Sequence, residues 1–151
     1  SVLDFSRSAG RGAVELCRRH PALAATVLDA PSGCADVPGT VAAAGLDSKR
    51  VSTLSLDLSG PMEFPEQFDC ALMCGADQYP EKDILRQLAA LRRALRPGGD
   101  LFVLGWMEGP QNTETTVGSI ATFSGLHFCC SDGATKIQHV DDWTRMLTMA
   151  G

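Results

Sequence analysis

The chain has 151 residues, of which 44% are hydrophobic and 21% are charged, and these proportions are typical of a single globular domain. A chain of this length buries roughly 68–70% of its unfolded surface on folding, which excludes a mini-protein that depends on disulfides or metal. Thirteen Lys and Arg residues against 18 Asp and Glu residues give a net charge of −5, which disfavours nucleic acid as a partner.

Targeting segments and metal motifs are absent from the sequence. No apolar run reaches about 18 residues and no basic segment precedes an apolar one at the N-terminus, so we expect neither a membrane span nor a signal peptide. We therefore predict a cytoplasmic protein with no membrane partner. The six cysteines have irregular spacing and form no Cys-x-x-Cys pair, which predicts reduced cysteines in the core and no metal site.

The first half of the chain alternates between predicted strands and helices. A short strand at 2–5 is followed by a loop of small residues and a helix at 13–20 that ends before Pro21. A second strand at 26–29 ends in Asp29, and a weaker helix spans 34–44, where Pro38 and Gly39 dilute the pattern. A third strand covers 51–57.

The second half repeats the alternation. A buried strand at 68–73 precedes the clearest helix, at 81–95, in which Ile84, Leu88, Leu91 and Leu95 share one face. A turn at 96–99 leads to a fifth strand at 101–104, residues 108–139 give no clear pattern, and a last helix covers 140–150. The whole order predicts an α/β fold, a Rossmann-like, doubly wound and mostly parallel sheet with helices on both faces.

An acidic residue lies at the end of each of three predicted strands. Asp4 ends the first strand before the loop of small residues, Asp29 ends the second, and Asp57 ends the third, followed by Leu58. The carboxyl ends of parallel strands meet at one edge of the sheet, where a carboxylate can accept hydrogen bonds from both hydroxyls of a ribose. The pattern predicts a nucleoside site with Asp57 and Leu58 beside the base, although each acid alone could be a helix cap.

Three stretches of the sequence resemble class I S-adenosylmethionine-dependent methyltransferases. They are Val2 to Gly10 with the later Val27-Leu28-Asp29-Ala30-Pro31, the helix and Pro-Gly-Gly turn at 84–99, and Asp141-Asp142-Trp143 before Ala150-Gly151. In particular they are similar to plant and bacterial small-molecule O-methyltransferases, which include acetylserotonin and hydroxyneurosporene enzymes. The resemblance implies S-adenosylmethionine as cofactor and methyl transfer to a small-molecule hydroxyl.

The first loop departs from the family pattern. The family reads Asp or Glu-x-Gly-x-Gly-x-Gly, and the resemblance places its cofactor-binding positions here at Asp4, Ser6, Ser8 and Gly10. A serine forced to positive φ would be strained by roughly 1–2 kcal/mol, although its hydroxyl can bind the methionine carboxylate. Two alternatives stay open: a loop that binds cofactor through hydroxyls, and a loop that no longer binds it well.

A second departure concerns the catalytic base. The family uses a His after the fourth strand with a cofactor-contacting Lys four residues earlier, and the corresponding positions here are Asp77 and Met73. We take Asp77 as the candidate base, although a carboxylate with a pKa of about 4 is a weaker base than imidazole unless burial raises it. Glu108, after the fifth strand, is a second catalytic candidate, and Met73 and Cys74 are candidate cofactor contacts.

Alternatives to these assignments remain. His127 and His139 could reach the cleft, and the altered motifs allow a methyltransferase-like domain that has lost catalysis and acts as a binding or scaffold module. A nicotinamide dinucleotide domain is disfavoured because the Gly-x-Gly-x-x-Gly cradle is missing. We expect residues 1–151 to be one cofactor-binding domain, a fragment of a larger protein without its final strand pair, with a small-molecule substrate and a homodimeric or larger assembly through the missing segments.

Overall fold

A computed structural model describes residues 1–65, 67–76, 79–105, 107–108 and 138–151. These residues divide into two units. The first comprises Ser1–Cys74 and Arg93–Val103, and the second comprises Gly75–Arg92 and Leu104–Gly151. No helix in the described ranges is long and apolar enough to cross a membrane.

The first unit is built on a five-stranded sheet in the order β3-β2-β1-β4-β5. Strand β1 pairs in parallel with β2 and β4, and β2 pairs in parallel with β3. All four residues of β1 are buried, as expected for the central strand of a sheet covered on both faces. The predicted Rossmann-like fold is confirmed. The strands are β1 Val2–Phe5, β2 Ala25–Asp29, β3 Val51–Ser55, β4 Phe68–Cys74 and β5 Leu95–Leu104.

Three helices accompany these strands: α1 Arg11–Arg19, α2 Pro31–Ala35 and α3 Val37–Ala43. The inner face of α1 carries Ala13, Val14 and Cys17, which pack in one apolar cluster with residues of β2, β3 and α3. Its outer face carries Glu15, which forms ion pairs with two arginines of the same helix. A short 3-10 helix at Ser48–Arg50 leads into β3.

The sequence prediction of one helix at 34–44 was wrong, because the chain forms α2 and α3 there. Pro31 occupies the first turn of α2, where its fixed φ suits a helix start and its missing N–H costs nothing. Asp36 ends α2 and immediately precedes α3, and Pro38 lies in the first turn of that second helix. The proline that weakens the pattern of a single helix therefore marks the start of a new one.

The prediction that the fifth strand begins at residue 101 was also wrong. Strand β5 begins at Leu95, directly after helix α4, and includes the Pro-Gly-Gly sequence. A Cβ on Gly99 would lie 2.9 Å from the carbonyl oxygen of Asp69 in β4, so the glycine permits the close approach of the two strands. The side chain of Arg96 also pairs with the Asp69 carboxylate.

The second unit contains α4 Glu81–Ala94 as far as Arg92, and α5 Val140–Ala150. It also contains the two-residue strands β6 Met107–Glu108 and β7 Gln138–His139. Ile84, Leu88 and Leu91 are buried, which confirms the predicted inner face of α4. Arg145 of α5 donates to both carboxylate oxygens of Glu81, at 2.9 and 3.0 Å. The predicted last helix matches α5 in both of its bounds.

Candidate functional site

Three carboxylates lie at one edge of the sheet in the first unit, where β1, β2 and β3 have their carboxyl ends. Asp4 aligns with Val27 in the register of β1 and β2. Asp29 is the last residue of β2 and aligns with Ser55, the last residue of β3. Asp57 follows β3 by two residues. The strand order therefore brings together the carboxyl ends from which the sequence predicted a nucleoside site.

Asp4 is fully buried, with 0% of its surface exposed. Its Oδ2 accepts a hydrogen bond of 2.7 Å from the N–H of Ala13, which joins β1 to the start of α1. Burial raises the pKa of the Asp4 carboxyl; hydrogen bonding from the Ser6 side chain and from the N–H groups of Ala13 and Ser6 opposes that rise, and the charge of Asp29 adds to it. Oδ1 has no hydrogen-bond partner of normal geometry within the described part of the chain. An unpaired buried acceptor destabilises the folded protein by about 1–3 kcal/mol. Binding of a ligand that donates a hydrogen bond to Oδ1 would therefore be favoured.

The serines of the loop after β1 do not adopt the positive φ that would strain them. The non-glycine residues with positive φ in the described ranges are Arg7 and Ala9, each at 52°. The left-handed positions of the loop therefore fall on the residues that follow Ser6 and Ser8. The two serine hydroxyl oxygens lie 2.7 Å apart. Gly10, buried and with a φ of 77°, then begins α1.

Asp29 is nearly buried, with 7% of its surface exposed. Its Oδ1 accepts a hydrogen bond of 2.7 Å from the N–H of Ala30. A Cβ on Gly33 would lie only 2.2 Å from Oδ2 of Asp29, so the carboxylate occupies the space that a side chain at Gly33 would need. Sequence reasoning missed this role of Gly33, and its signal is a glycine four residues after the acid that ends β2.

Asp57 is exposed and held by its own loop. Its Oδ1 accepts hydrogen bonds from the N–H of Ser59 at 2.9 Å and from the Ser59 hydroxyl at 2.6 Å. Leu58, between them, is half-buried. Sequence reasoning also missed Ser59, although Asp-x-Ser is a common pattern for a side chain that caps its own turn. The turn fixes the direction of the acid that follows β3.

The end of β4 carries the two remaining cofactor candidates. Met73 pairs with Phe5 of β1 in the parallel register and has 0% exposure, so its side chain belongs to the core. Cys74 is half-buried, and burial raises the pKa of its thiol, with a further contribution from the charge of Asp4. These positions are consistent with a structural role for Met73 and leave the Cys74 side chain at the same end of the sheet as Asp4.

Two of the residues considered for catalysis, Glu108 and His139, belong to the second unit. Asp77 lies outside the described residues, as does His127, and of Glu108 the structure describes the backbone, in β6 of the second unit. His139 precedes α5, where its ring nitrogen accepts a hydrogen bond from the N–H of Asp141. That contact gives His139 the structural role of a helix cap. Within the described ranges, no group of three or more metal-binding side chains occurs.

Comparison with known proteins identifies the family. No model of a protein family matches the chain. Over 104 residues the chain is 33% identical to 3-hydroxy-5-methyl-1-naphthoate 3-O-methyltransferase from Streptomyces sahachiroi, a match that covers 68% of this chain and 29% of that protein. The crystal structure of the S-adenosylmethionine-dependent methyltransferase SibL in its apo form matches with a TM-score of 0.84 and 28% identity, over 99% of this chain and 43% of SibL. The chain belongs to the class I S-adenosylmethionine-dependent methyltransferases.

The fold of this methyltransferase domain recurs at lower sequence identity. The mitomycin 7-O-methyltransferase MmcR matches with a TM-score of 0.85 at 18% identity, over 99% of this chain and 42% of MmcR. The domain therefore spans less than half the length of these relatives. The resemblance in the sequence is confirmed, and the scaffold alternative is not favoured by the proteins that the domain matches.

Proposed function

We propose that this domain binds S-adenosylmethionine and serves an enzyme that methylates a hydroxyl of a small molecule. The observation that carries the proposal is the set of three carboxylates at the carboxyl ends of β1, β2 and β3, with a buried and unpaired oxygen on Asp4. In this proposal Asp29 accepts hydrogen bonds from the ribose hydroxyls, and Asp57 and Leu58 lie beside the adenine.

The residues present suit this cofactor. Its amino-acid part carries an ammonium group, which can donate the hydrogen bond that Oδ1 of Asp4 lacks. We propose that Ser6, Ser8 and Gly10 lie along the same amino-acid part. Met73 and Cys74 complete the set as residues at the end of β4, with the buried Met73 supporting the site from the core.

The chemistry requires little of the protein beyond positioning. When bound, S-adenosylmethionine supplies an electrophilic methyl group on a positively charged sulfur. The protein contributes by orienting the acceptor hydroxyl and excluding water, with modest assistance from a base. We propose Asp77 as that base and Glu108 as a group that orients the base or acceptor. If so, D77N and E108Q in the full-length enzyme should lower kcat and leave the affinity for S-adenosylhomocysteine unchanged.

The acceptor class is proposed from the named relative. That relative is a hydroxynaphthoate O-methyltransferase, so aromatic hydroxy acids are the first acceptors to test. Methylation of any of them would exclude a purely scaffolding role. Binding of cofactor without transfer to a broad panel of phenols by the full-length protein would support the scaffold alternative.

Calorimetric titration with S-adenosylhomocysteine tests cofactor binding directly. We expect the wild-type domain to bind, and D29N to bind roughly tenfold or more weakly because hydrogen bonds to a charged acceptor contribute about 1.5–3 kcal/mol. D36N is the matched control, since Asp36 is exposed between α2 and α3. Wild-type protein that does not bind at millimolar ligand would contradict the proposal, and equal affinities of D29N and wild type would remove the ribose assignment.

Two finer predictions belong to the same proposal. We propose a cytoplasmic protein and a homodimeric or larger assembly, formed through segments that the relatives have outside the matched region. Sedimentation of the full-length protein measures its assembly, and fractionation of the source cells locates it.

A further inference from the structure

Helix α2 contacts both the side chain and the backbone of Asp29. A Cβ at Gly33 would overlap Oδ2 of Asp29, so the carboxylate lies directly against this residue. Sγ of the next residue, Cys34, lies 3.6 Å from the carbonyl oxygen of Asp29 and 3.7 Å from that of Leu54 in β3. Both distances are within hydrogen-bonding range for a thiol. Two consecutive residues of α2 therefore contact the residue to which we assign the ribose.

The Cys34 thiol is a buried hydrogen-bond donor, with 8% of the residue exposed. Burial raises the pKa of this thiol, the hydrogen bond to the Asp29 backbone lowers it, and the charge of Asp29 raises it. The net rise above the ordinary 9.0 keeps the thiol protonated at pH 7, and a protonated thiol can donate. The same carbonyl oxygen of Asp29 accepts from the N–H of Leu56 at 3.1 Å. It therefore joins α2 to the segment that follows β3.

Cys17 makes the same kind of contact at the opposite end of β2 and β3. Its Sγ lies 3.6 Å from the carbonyl oxygen of Leu23 and 3.7 Å from that of Arg50. These two residues come just before β2 and β3, whereas Cys34 contacts the carboxyl ends of the same strands. Cys17 is also buried, with 0% exposure. The two thiols are thus alike in burial and contact distance, and they differ in that Cys34 contacts Asp29.

We propose that Cys34 is a positioning residue for the ribose-binding carboxylate of Asp29. The proposal rests on the cofactor binding proposed above and adds a residue that acts through Asp29. The thiol contact holds the Asp29 backbone against α2. The carboxylate follows that backbone, because its Oδ1 accepts from the N–H of Ala30 and its Oδ2 lies against Gly33. Without the thiol donor, the end of β2 can move relative to α2, and the carboxylate moves away from the ribose hydroxyls.

A ratio of two dissociation constants separates this role from a general effect on the fold. The ligands are S-adenosylhomocysteine and its 2′,3′-dideoxy analogue, which lacks both ribose hydroxyls. The dissociation constant of the analogue divided by that of S-adenosylhomocysteine measures the ribose contact alone. Titration calorimetry gives this ratio for wild type and each variant, with urea denaturation as the measure of stability. C34A and C34V both remove the donor, and C34V keeps the volume filled, whereas C34S keeps a donor.

Two further variants set the limits of the comparison. D29N gives the ratio without the charged acceptor. C17A is the matched control, because it removes a thiol of similar burial and contact distances at the other end of the strands. We expect a ratio of about ten or more for wild type, lowered by about threefold or more in C34A and C34V. C34S should retain most of the wild-type ratio, and C17A should retain it even where its stability falls.

An unchanged ratio in C34A and C34V would overturn the proposal, as would an equal fall in C17A. A ratio in C34S as low as that in C34A would show that the hydrogen bond does not carry the effect, and would also overturn it. Wild type that binds both ligands equally would remove the ribose assignment of Asp29 and this inference with it. Wild type that binds neither ligand would refute the proposed function itself.

Discussion

Asp4 lies where a ligand could bind, and the burial of its charge lowers the stability of the fold. Burial raises the pKa of its carboxyl above the ordinary 3.8, so the folded protein binds this proton more tightly than the unfolded chain does. The contribution of Asp4 to the free energy of unfolding is therefore fully present below pH 3.8. It is lost as the pH rises from there through the folded pKa.

Because the ionised Asp4 carboxylate destabilises the folded state, we predict that D4N is more stable than wild type at pH 7. We also predict that D4N binds S-adenosylhomocysteine more weakly. The stability advantage should shrink as the pH falls through the raised pKa of Asp4, because protonation makes the wild-type side chain neutral as well. Urea denaturation of both proteins at pH 7, 5.5 and 4 measures the difference. A D4N protein that is less stable than wild type at pH 7 would show that the charge of Asp4 stabilises the fold.

Gly33 determines where the Asp29 carboxylate can lie. A Cβ at Gly33 would be 2.2 Å from Oδ2 of Asp29, whereas a Cβ at Gly39, in α3, would meet no atom within 4 Å. We predict that G33A lowers the free energy of unfolding by about 1–3 kcal/mol, a typical cost of overpacking, and weakens S-adenosylhomocysteine binding. G39A should be neutral or stabilising by up to about 1 kcal/mol, since alanine favours helix. Urea denaturation and calorimetry of the pair provide the comparison, and equal effects of both variants would argue against the steric role.

For single residues, the sequence predicted where the acidic side chains lie, and it did not predict the contacts around them. Asp4, Asp29 and Asp57 could be predicted because acids at the carboxyl ends of parallel strands point to one edge of the sheet. The role of Gly33 could not, since it depends on the rotamer of Asp29. The same limit applied to the loop, because the residue types do not reveal that the positive φ values fall on Arg7 and Ala9.

The end of helix α1 is hydrogen-bonded to the side chain of Arg50, a residue distant in the sequence. The Arg50 side chain donates to the carbonyl oxygens of Cys17, His20 and Leu23, at 2.8, 2.7 and 2.8 Å. These oxygens lie at and just after the end of α1, where carbonyl groups lack helical partners and a cation is favoured. Arg50 therefore joins the end of α1 to the start of β3.

We predict that R50A lowers the free energy of unfolding by roughly 2 kcal/mol, because three carbonyl groups lose a charged donor. R50K should lie between R50A and wild type, since an ammonium group keeps the charge without the planar fork. R19A is the control, because Arg19 forms an exposed ion pair within α1 and should change stability little. Urea denaturation measures all three, and an R50A protein as stable as R19A would contradict the role of Arg50.

Helices whose sequence shows a clear helical pattern could be predicted. Elements whose bounds depend on neighbouring parts of the fold could not. Helix α4 shows apolar residues at helical spacing, and α5 has acids in its first turn, so each was predicted to within one residue. The division between α2 and α3 was not predicted, because Pro38 was interpreted as a residue that weakens a helix. In the structure it lies in the first turn of α3. Strand β5 extends back to Leu95 because β4 lies beside it, which no local pattern records.

For the whole molecule, the proposed cofactor residues lie within one unit. Asp4, Asp29 and Asp57 belong to the first unit, as do the loop after β1 and the end of β4, whereas Glu108 belongs to the second. Binding of cofactor can therefore be tested separately from catalysis. The loops after β1, β2 and β3 should respond to a nucleoside ligand independently of α5.

We accordingly predict that S-adenosylhomocysteine slows amide hydrogen exchange in three segments of the first unit, at residues 5–14, 29–34 and 56–60. A ligand that binds the folded state alone stabilises it by about 2.7 kcal/mol at 100 times its dissociation constant, and local opening at the contact residues is suppressed most. Residues 140–150 of α5 should show little change. Hydrogen exchange with mass spectrometry measures the segments side by side, and D29N at the same ligand concentration is the control, which should lose most of the protection. Protection confined to α5, with none after β1, β2 and β3, would place the ligand elsewhere and refute the site.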